Sequence, residues 1–521
     1  MIKHSRWLVQ DSQKTEQILE KLQAHFTLEP MQIQQETLTF YDDFEWRLWK
    51  KNRLLASNHK GLTFFINHLD LNVYRAEPVP SYAENCVDPQ LKAYVSAHTD
   101  IRRLFPMADM EVEYYQYALR NEDLKKVCDL NITQTGLGAM LELSGLRGYE
   151  KEYREALGVI LSSEPDSLER HIFQLSLELL AICPTCYSRR PVFIMGENDN
   201  AATALTSIHT TLWQNVRLNE TGIAADWDKL FLHQYRVALR RSRALFTQLK
   251  QVVGIEASQY FKLSLGDLAR RTNTLRDLDV YLQRQDEYKQ LLPQQFHQGL
   301  DELFSEFANK RKLAHRSLAR WIKSPAYQSK IEEIEQQLAS LDFKESKQAL
   351  QPVQKLAAKR LLKSYEKIVA QAQLITPQSV DDEIHDIRLE AKKLRYLLEF
   401  FTGLFQEKQA RKSLKTLLKA LKKLQDSLGD FNDFAVQREY LEHWISSPDI
   451  GELENHSGAQ SSDSIVAAVH ALSGVLFVKQ QDQRLDAEIQ LKAFIENDMS
   501  LALAQLYLKP ETTTLPAHQK D

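Results

Sequence analysis

The sequence predicts a multidomain α+β chain, in which a mixed, strand-rich domain is followed by an all-α domain made of two related bundles. Two patterns and one repeat carry that expectation. Up to about residue 200, apolar residues come in short aromatic and β-branched runs between polar turns, as strands do. From about residue 213 to 507 nearly every segment has helical period, and prolines and glycines fall between the periodic stretches. Within that half, LFLHQYRVALRRSRALF (230–246) reappears as DEIHDIRLEAKKLRYLLEF (382–400), and an internal repeat at fixed spacing makes each copy one structural unit.

In chain order, ETLTFY, GLTFFINHL and DMEVEYYQY read as strands, and RGYEKEYREALGVIL and SLERHIFQLSLELLAI as helices, so the first domain (1–200) is mixed. The turn-rich MGENDNAAT is the expected link to the second half. There, repeat copies are expected at about 213–345 and 350–507. His233 and His385 lie 152 residues apart, while Asp277 and Val280 of LRDLDV match Asp433 and Val436 of FNDFAV at an offset of 156. A loop-sized change separates the two offsets. Residues 450–464 are expected to form a disordered loop, and 508–521 a frayed tail.

The repeated segments match in charge as well as spacing. His233 is followed by Arg236, Arg240, Arg241 and Arg243, and His385 by Arg388, Lys392, Lys393 and Arg395 at the same steps. At about 100° per residue, most of these cations share one stripe, with Leu239, Leu245, Phe246 and Leu249 broadly opposite. The stripe is about 15 Å long, enough for several anionic groups in a row. A solvated charged face is the alternative, yet the first copy has no acid between His233 and Arg243 to form helix ion pairs. Two further helices are cationic. KQARKSLKTLLKALKK carries Lys408, Lys412, Lys415, Lys419 and Lys422, with Leu414, Leu417, Leu418 and Leu421 on its other face. KLAAKRLLKSYEK carries Lys355, Lys359, Arg360, Lys363 and Lys367 against Glu366 alone. A calmodulin-type or membrane-surface helix has the same look, and the company of two other cationic helices favours phosphate.

Arginine offers a planar fork matched to phosphate oxygens and lysine a mobile charge, so both along one groove suit a flexible polyanion. No aromatic residues interleave with the stripes as base-stacking platforms would, which argues against single-stranded nucleic acid. The histidines are read either as phosphate donors or as helix pins bonded to Asp277 or Asp433.

Composition bounds the rest. A chain of 521 residues holds two or three domains, and a net charge of −4 leaves the positive charge local. Four cysteines make no disulfide framework, and Cys183 and Cys186 of CPTC lack the further ligands of a zinc site, so no metal or cofactor is expected. The N-terminus does not read as a secretion signal, and the longest apolar run is too short for a membrane span; the expected setting is cytoplasmic.

The paired HQYRVALRRSRALF and HDIRLEAKKLRYLLEF, with LRDLDV and LGDFNDFAV, resemble the CHAD family, the conserved histidine α-helical domain. The resemblance implies two pseudo-symmetric four-helix bundles whose basic side chains bind inorganic polyphosphate in a groove or pore, with association with polyphosphate granules as one setting. It implicates His233, Arg236, Arg240, Arg241, Arg243, His385, Arg388, Lys392, Lys393 and Arg395, to which the charge pattern adds Lys359, Lys363, Lys415, Lys419 and Lys422. The first copy departs at Ser242, where the second has Leu394. ETLTFYDDFEWRLWKKNRLL looks like the strand region of the CYTH, or triphosphate tunnel, family, which implies a tunnel-like antiparallel β domain. The Glu-x-Glu-x-Lys strand of that family is missing from MIKHSRWLVQ; Asp129 and Glu142 are candidate remnants, and Glu111 and Glu113 share one strand face. The first domain is therefore expected to be a degenerate, inactive tunnel. The expected function is non-catalytic polyphosphate binding. A metal-dependent triphosphatase or polyphosphatase, and a binder of nucleic acid or an acidic protein, are the alternatives.

Overall fold

The computed structural model describes residues 4–58, 63–67, 70–74, 79–167, 171–179, 187–196, 199–343, 346–405, 407–446 and 459–507. The chain divides into two units, Met1–Ser188 and Arg189–Asp521. Cys183 and Cys186, the tail 508–521 and residues 450–458 of the expected loop lie outside the described residues.

The first unit is a curled antiparallel sheet with helices on its faces. It runs β1 (His4–Val9), α1 (Ser12–Gln23), β2 (Thr27–Asp43), β3 (Arg53–Asn58), β4 (Thr63–Asn67), β5 (Asp70–Tyr74), α2 (Pro89–Thr99), β6 (Leu104–Arg120), β7 (Lys126–Thr135), β8 (Gly138–Gly145), α3 (Glu150–Leu161), β9 (Asp166–Ser167) and α4 (Ile172–Leu179). The nine described strands take the order β5-β4-β3-β2-β6-β7-β8-β1-β9. Because side chains alternate along a strand, Trp7 and Val9 join a core with α1 and α3, whereas Leu8 joins Met140, Met110, Val112 and Phe40 on the other face. Phe173 of α4 packs edge-on against Phe40 there, ring centres 5.7 Å apart. The antiparallel sheet agrees with the tunnel-like expectation. Helices α1 and α2 escaped the sequence reading, and β2 and β6, 17 residues each, are longer than the short runs it anticipated.

The second unit is helical throughout its named elements: α5 (Ala201–Ala224), α6 (Lys229–Gln248), α7 (Lys250–Val253), α8 (Ile255–Arg270), α9 (Asn273–Gln283), α10 (Gln285–Leu291), α11 (His297–Ile322), α12 (Pro325–Ala339), α13 (Val353–Ala372), α14 (Asp381–Phe401), α15 (Lys408–Ile445), α16 (Ala459–Glu496) and α17 (Ser500–Tyr507). Of the residues expected in a loop at 450–464, 459–464 belong to α16, which begins at Ala459. Helices α5, α6, α8, α9, α11 and α12 build one bundle, and α13 to α17 the other. They share a core in which Leu278, Tyr281, Phe304 and Phe307 meet Leu441, Trp444, Ile465, Leu472 and Leu476. Gly299 makes that junction possible, because a Cβ there would fall 2.2 Å from the carbonyl oxygen of Ser464 on α16. The copies differ at one visible point: α15 runs unbroken, while the matching stretch breaks between Arg270 and Asn273.

Candidate functional site: a cationic cavity between the repeats

Helix α6 starts at Asp228, whose carboxylate caps the Leu230 amide at 2.9 Å. Its apolar back, Phe231, Leu232, Tyr235, Leu239, Leu245 and Phe246, is buried. Ile384, Ile387, Ala391, Leu394 and Leu397 do the same for α14. Ser242, in the place of Leu394, is fully buried. With these backs fixed, the cationic faces of α6 and α14 turn toward one another, and the two helices pack together.

Between them lies a cavity of about 280 Å³ lined by His233, Arg236, Val237, Arg240, Arg276, Arg388, Lys392, Asn432, Asp433 and Val436. Cations from both copies converge on it, and Asp433 is the single carboxylate in its lining. Sequence reasoning missed Arg276 and Asn432. The signal was present, since each directly precedes one of the matched aspartates, Asp277 and Asp433.

The counterpart arginines are held differently. Arg236 donates to the carbonyl oxygen of Ala269 at 2.8 Å, to Asn273 Oδ1 at 2.9 Å and to Thr272 Oγ1, so it ties the broken end of α8. Arg388 faces a continuous helix with no free carbonyls and donates instead to Asp433 at 3.2 Å. Burial, with Arg276 and Arg240 nearby, pushes the Arg236 guanidinium down to about 10; burial outweighs Asp433 and lowers Arg388 as well. Burial together with Arg388 and Arg240 brings the Lys392 ammonium down to about 7.

His385 shares a 2.5 Å hydrogen bond between Nδ1 and Asn432 Oδ1, pinning α14 to α15. That is a pin of the expected kind, with Asn432 in place of the anticipated Asp433. His233 is exposed at the cavity wall.

The stripes do not act as wholes. Arg241 and Arg395 both turn to Glu399, at 2.8 and 3.8 Å, and Lys393 joins Lys367 on Glu390, at 2.8 and 2.6 Å. Arg243 lies half-buried against Gly266 on α8. None of these four lines the cavity: Arg241 and Lys393 each sit about 100° around the helix from their cavity-lining neighbours Arg240 and Lys392, while Arg243 and Arg395 lie most of a turn further along. Lys359 and Lys363 on α13, and Lys415, Lys419 and Lys422 on α15, are exposed outside it. Lys419 lines a separate hollow of about 240 Å³ with Lys423, Thr416, Gln490, Phe494 and Asn497. Leu418, expected on the apolar face of α15, is 38% exposed; Leu414, Leu417 and Leu421 carry the burial.

In the first unit the candidate remnants are neutralised. Glu142 pairs with Arg6 and Asp129 with Lys126 at 2.6 Å. Glu111 and Glu113 project on the opposite sheet face from Met110 and Val112. No cluster of three or more metal-ligating side chains occurs among the described residues. No described helix is long and apolar enough to cross a membrane.

Fold and site together define an all-α module in which two related helical copies face one another across a cationic cavity. Residues 208–442 match the model of the CHAD domain, and the helical unit carries a CHAD domain. An uncharacterized protein of Mycobacterium tuberculosis (strain CDC 1551 / Oshkosh) is 28% identical over 214 residues, 40% of this chain and 39% of that relative. The chain thus matches well under half the length of this relative. The crystal structure of the CHAD domain from the plant Ricinus communis aligns at 20% identity and a TM-score of 0.47, covering 60% of this chain and 98% of that one. PptA from Streptomyces chartreusis aligns at 14% identity and a TM-score of 0.41, covering 57% and 99%.

Proposed function

We propose that the helical unit binds inorganic polyphosphate, without a chemical step, in the cavity between α6 and α14. The observation that carries this reading is the convergence of Arg236, Arg240 and Arg276 from one copy with Arg388 and Lys392 from the other around a lining with one carboxylate. Forked guanidiniums suit phosphate oxygens, and desolvation by the cavity walls strengthens each contact. The polymer follows from the family resemblance, and the exposed lysines Lys359, Lys363, Lys415, Lys419 and Lys422 offer a long anion further contacts outside the cavity. Arg241, Arg243, Lys393, Arg395 and His385 then support the helices that present the site. On this reading the unit comprises two copies, at about 213–345 and 350–507.

Calorimetric titration of the full-length protein with long-chain polyphosphate, against DNA and RNA of matched charge, tests the proposal. Tight polyphosphate binding with much weaker nucleic acid binding is expected. Equal binding of all three would make the site a general polyanion surface, and absence of polyphosphate binding would refute the reading.

A further inference from the structure

Four of the cations lining the cavity, Arg236, Arg240, Arg276 and Arg388, are guanidiniums, which do not lose their protons in proteins. Lys392 is a half-buried primary amine set among them, and it is free to shed its charge. Its counterpart in the first copy is Arg240, seven residues after the matched histidine, so the two sides of the cavity differ at this point in kind: a fixed charge faces an optional one.

The groups around Lys392 leave it little compensation. Arg388 and Arg395 of its own helix and Arg240 of α6 repel its charge, and Asp433 of α15 is the carboxylate that favours it. Asp433 is already shared with Arg388. Arg236 of α6 and Arg276 of α9 add to the positive wall, and His233 of α6 stands in the same lining. On the α13 side, Glu390 is occupied by Lys367 and Lys393, and Glu399 by Arg241 and Arg395. Asp430 of α15 is coupled to Asp433, Asp426 and Arg284.

We propose that the cavity captures its phosphate anion together with a proton taken up by the Lys392 amine from the medium, so that binding at this site is proton-linked. The inference rests on the polyphosphate reading above and adds its regulation. The free protein holds Lys392 at about 7, so above neutrality the amine is largely uncharged. An anion in the cavity offsets the surrounding guanidiniums and favours the ammonium, which raises its pKa in the complex. Affinity therefore weakens as pH rises above 7, by up to about tenfold per pH unit, until Lys392 titrates in the complex too.

The test is calorimetry of the full-length protein with long-chain polyphosphate at pH 6 and pH 8, each in two buffers of different ionisation enthalpy. Uptake of most of one proton per site at pH 8, and little at pH 6, is expected. Lys392→Arg should abolish the uptake and flatten the pH profile by fixing the charge, and Lys392→Met should flatten it at a weaker affinity. Polyphosphate binding by the wild type with no proton uptake at pH 8, or uptake that survives Lys392→Arg and vanishes in His233→Asn, would overturn the inference alone. Absence of phosphate binding under every condition would remove the polyphosphate reading beneath it as well.

Discussion

Arg236 donates to the carbonyl oxygen of Ala269 at 2.8 Å, whereas its counterpart Arg388 donates to the side chain of Asp433 at 3.2 Å. The same position in the repeat thus closes a helix end in one copy and meets a cavity carboxylate in the other. Arg236→Ala should cost about 1–3 kcal/mol of stability, since it removes the charged donor that links the Ala269 carbonyl, Thr272 Oγ1 and Asn273 Oδ1 across the break. Arg388→Ala leaves Asp433 able to meet water and should lower the melting temperature less. Denaturant melts of both variants decide the matter; equal losses would show that the break in α8 is not what Arg236 secures. If both arginines did no more than face solvent, melting would be unchanged in either variant.

Asp433 is the single carboxylate in the cavity lining, and it repels any anion that enters. Asp433→Asn should raise affinity for polyphosphate several-fold at low salt, because Arg388 is released from its ion pair while the wall loses a negative charge. Unchanged or weaker binding would mean that the pair positions Arg388 in a way that outweighs repulsion.

Cavity cations and outer lysines should separate by ligand length and by salt. Each phosphate engaged by a cation releases counterions, so Arg240→Ala with Arg276→Ala should weaken tripolyphosphate and the long chain alike and reduce the salt slope by about one for each phosphate no longer engaged. Lys415→Gln with Lys422→Gln should weaken the long chain more than tripolyphosphate, since both side chains are exposed outside the cavity. Fluorescence titrations across a salt series provide the measurement. If the outer pair mattered more for the short ligand, the chain would enter from elsewhere.

His209 of α5 sits 4% exposed between Phe246, Phe261 and Trp213, and neither ring nitrogen has a hydrogen-bond partner among the described residues. Burial drives its pKa down to about 3. The unfolded chain, with an ordinary histidine, binds the extra proton between roughly pH 6.5 and 3, so this contribution is intact above 6.5 and is lost as pH falls through that window. At pH 5 the loss amounts to about 2 kcal/mol. His209→Leu should flatten the acid limb of the stability curve; an identical acid limb would show that the imidazole is solvated or bonded in solution.

The division into a strand-rich half and a helical half was legible because periodicity is local: alternation in DMEVEYYQY and 3.6-residue spacing in HQYRVALRRSRALF can be read without partners. The repeat was legible for the same reason, and it located Arg236, Arg240, Arg388 and Lys392. Helices α1 and α2 were not, since their hydrophobic faces are short and interrupted by polar residues, and packing against the sheet and its loops decides their state. His209 was hidden because nothing in IHTTLWQNV announces that its ring is enclosed by residues from two other helices. Within the stripes, the sequence by itself determined which residues carry charge and which face of each helix they occupy. Only the tertiary structure decided that Arg243 and Arg395 fall outside the cavity, that Arg241 reaches Glu399, that Arg276 and Asn432 join the cavity, and that Lys392 sits among cations. Charge and helical phase belong to the chain, whereas convergence depends on where two helices cross, and that is set by the packing of their buried backs.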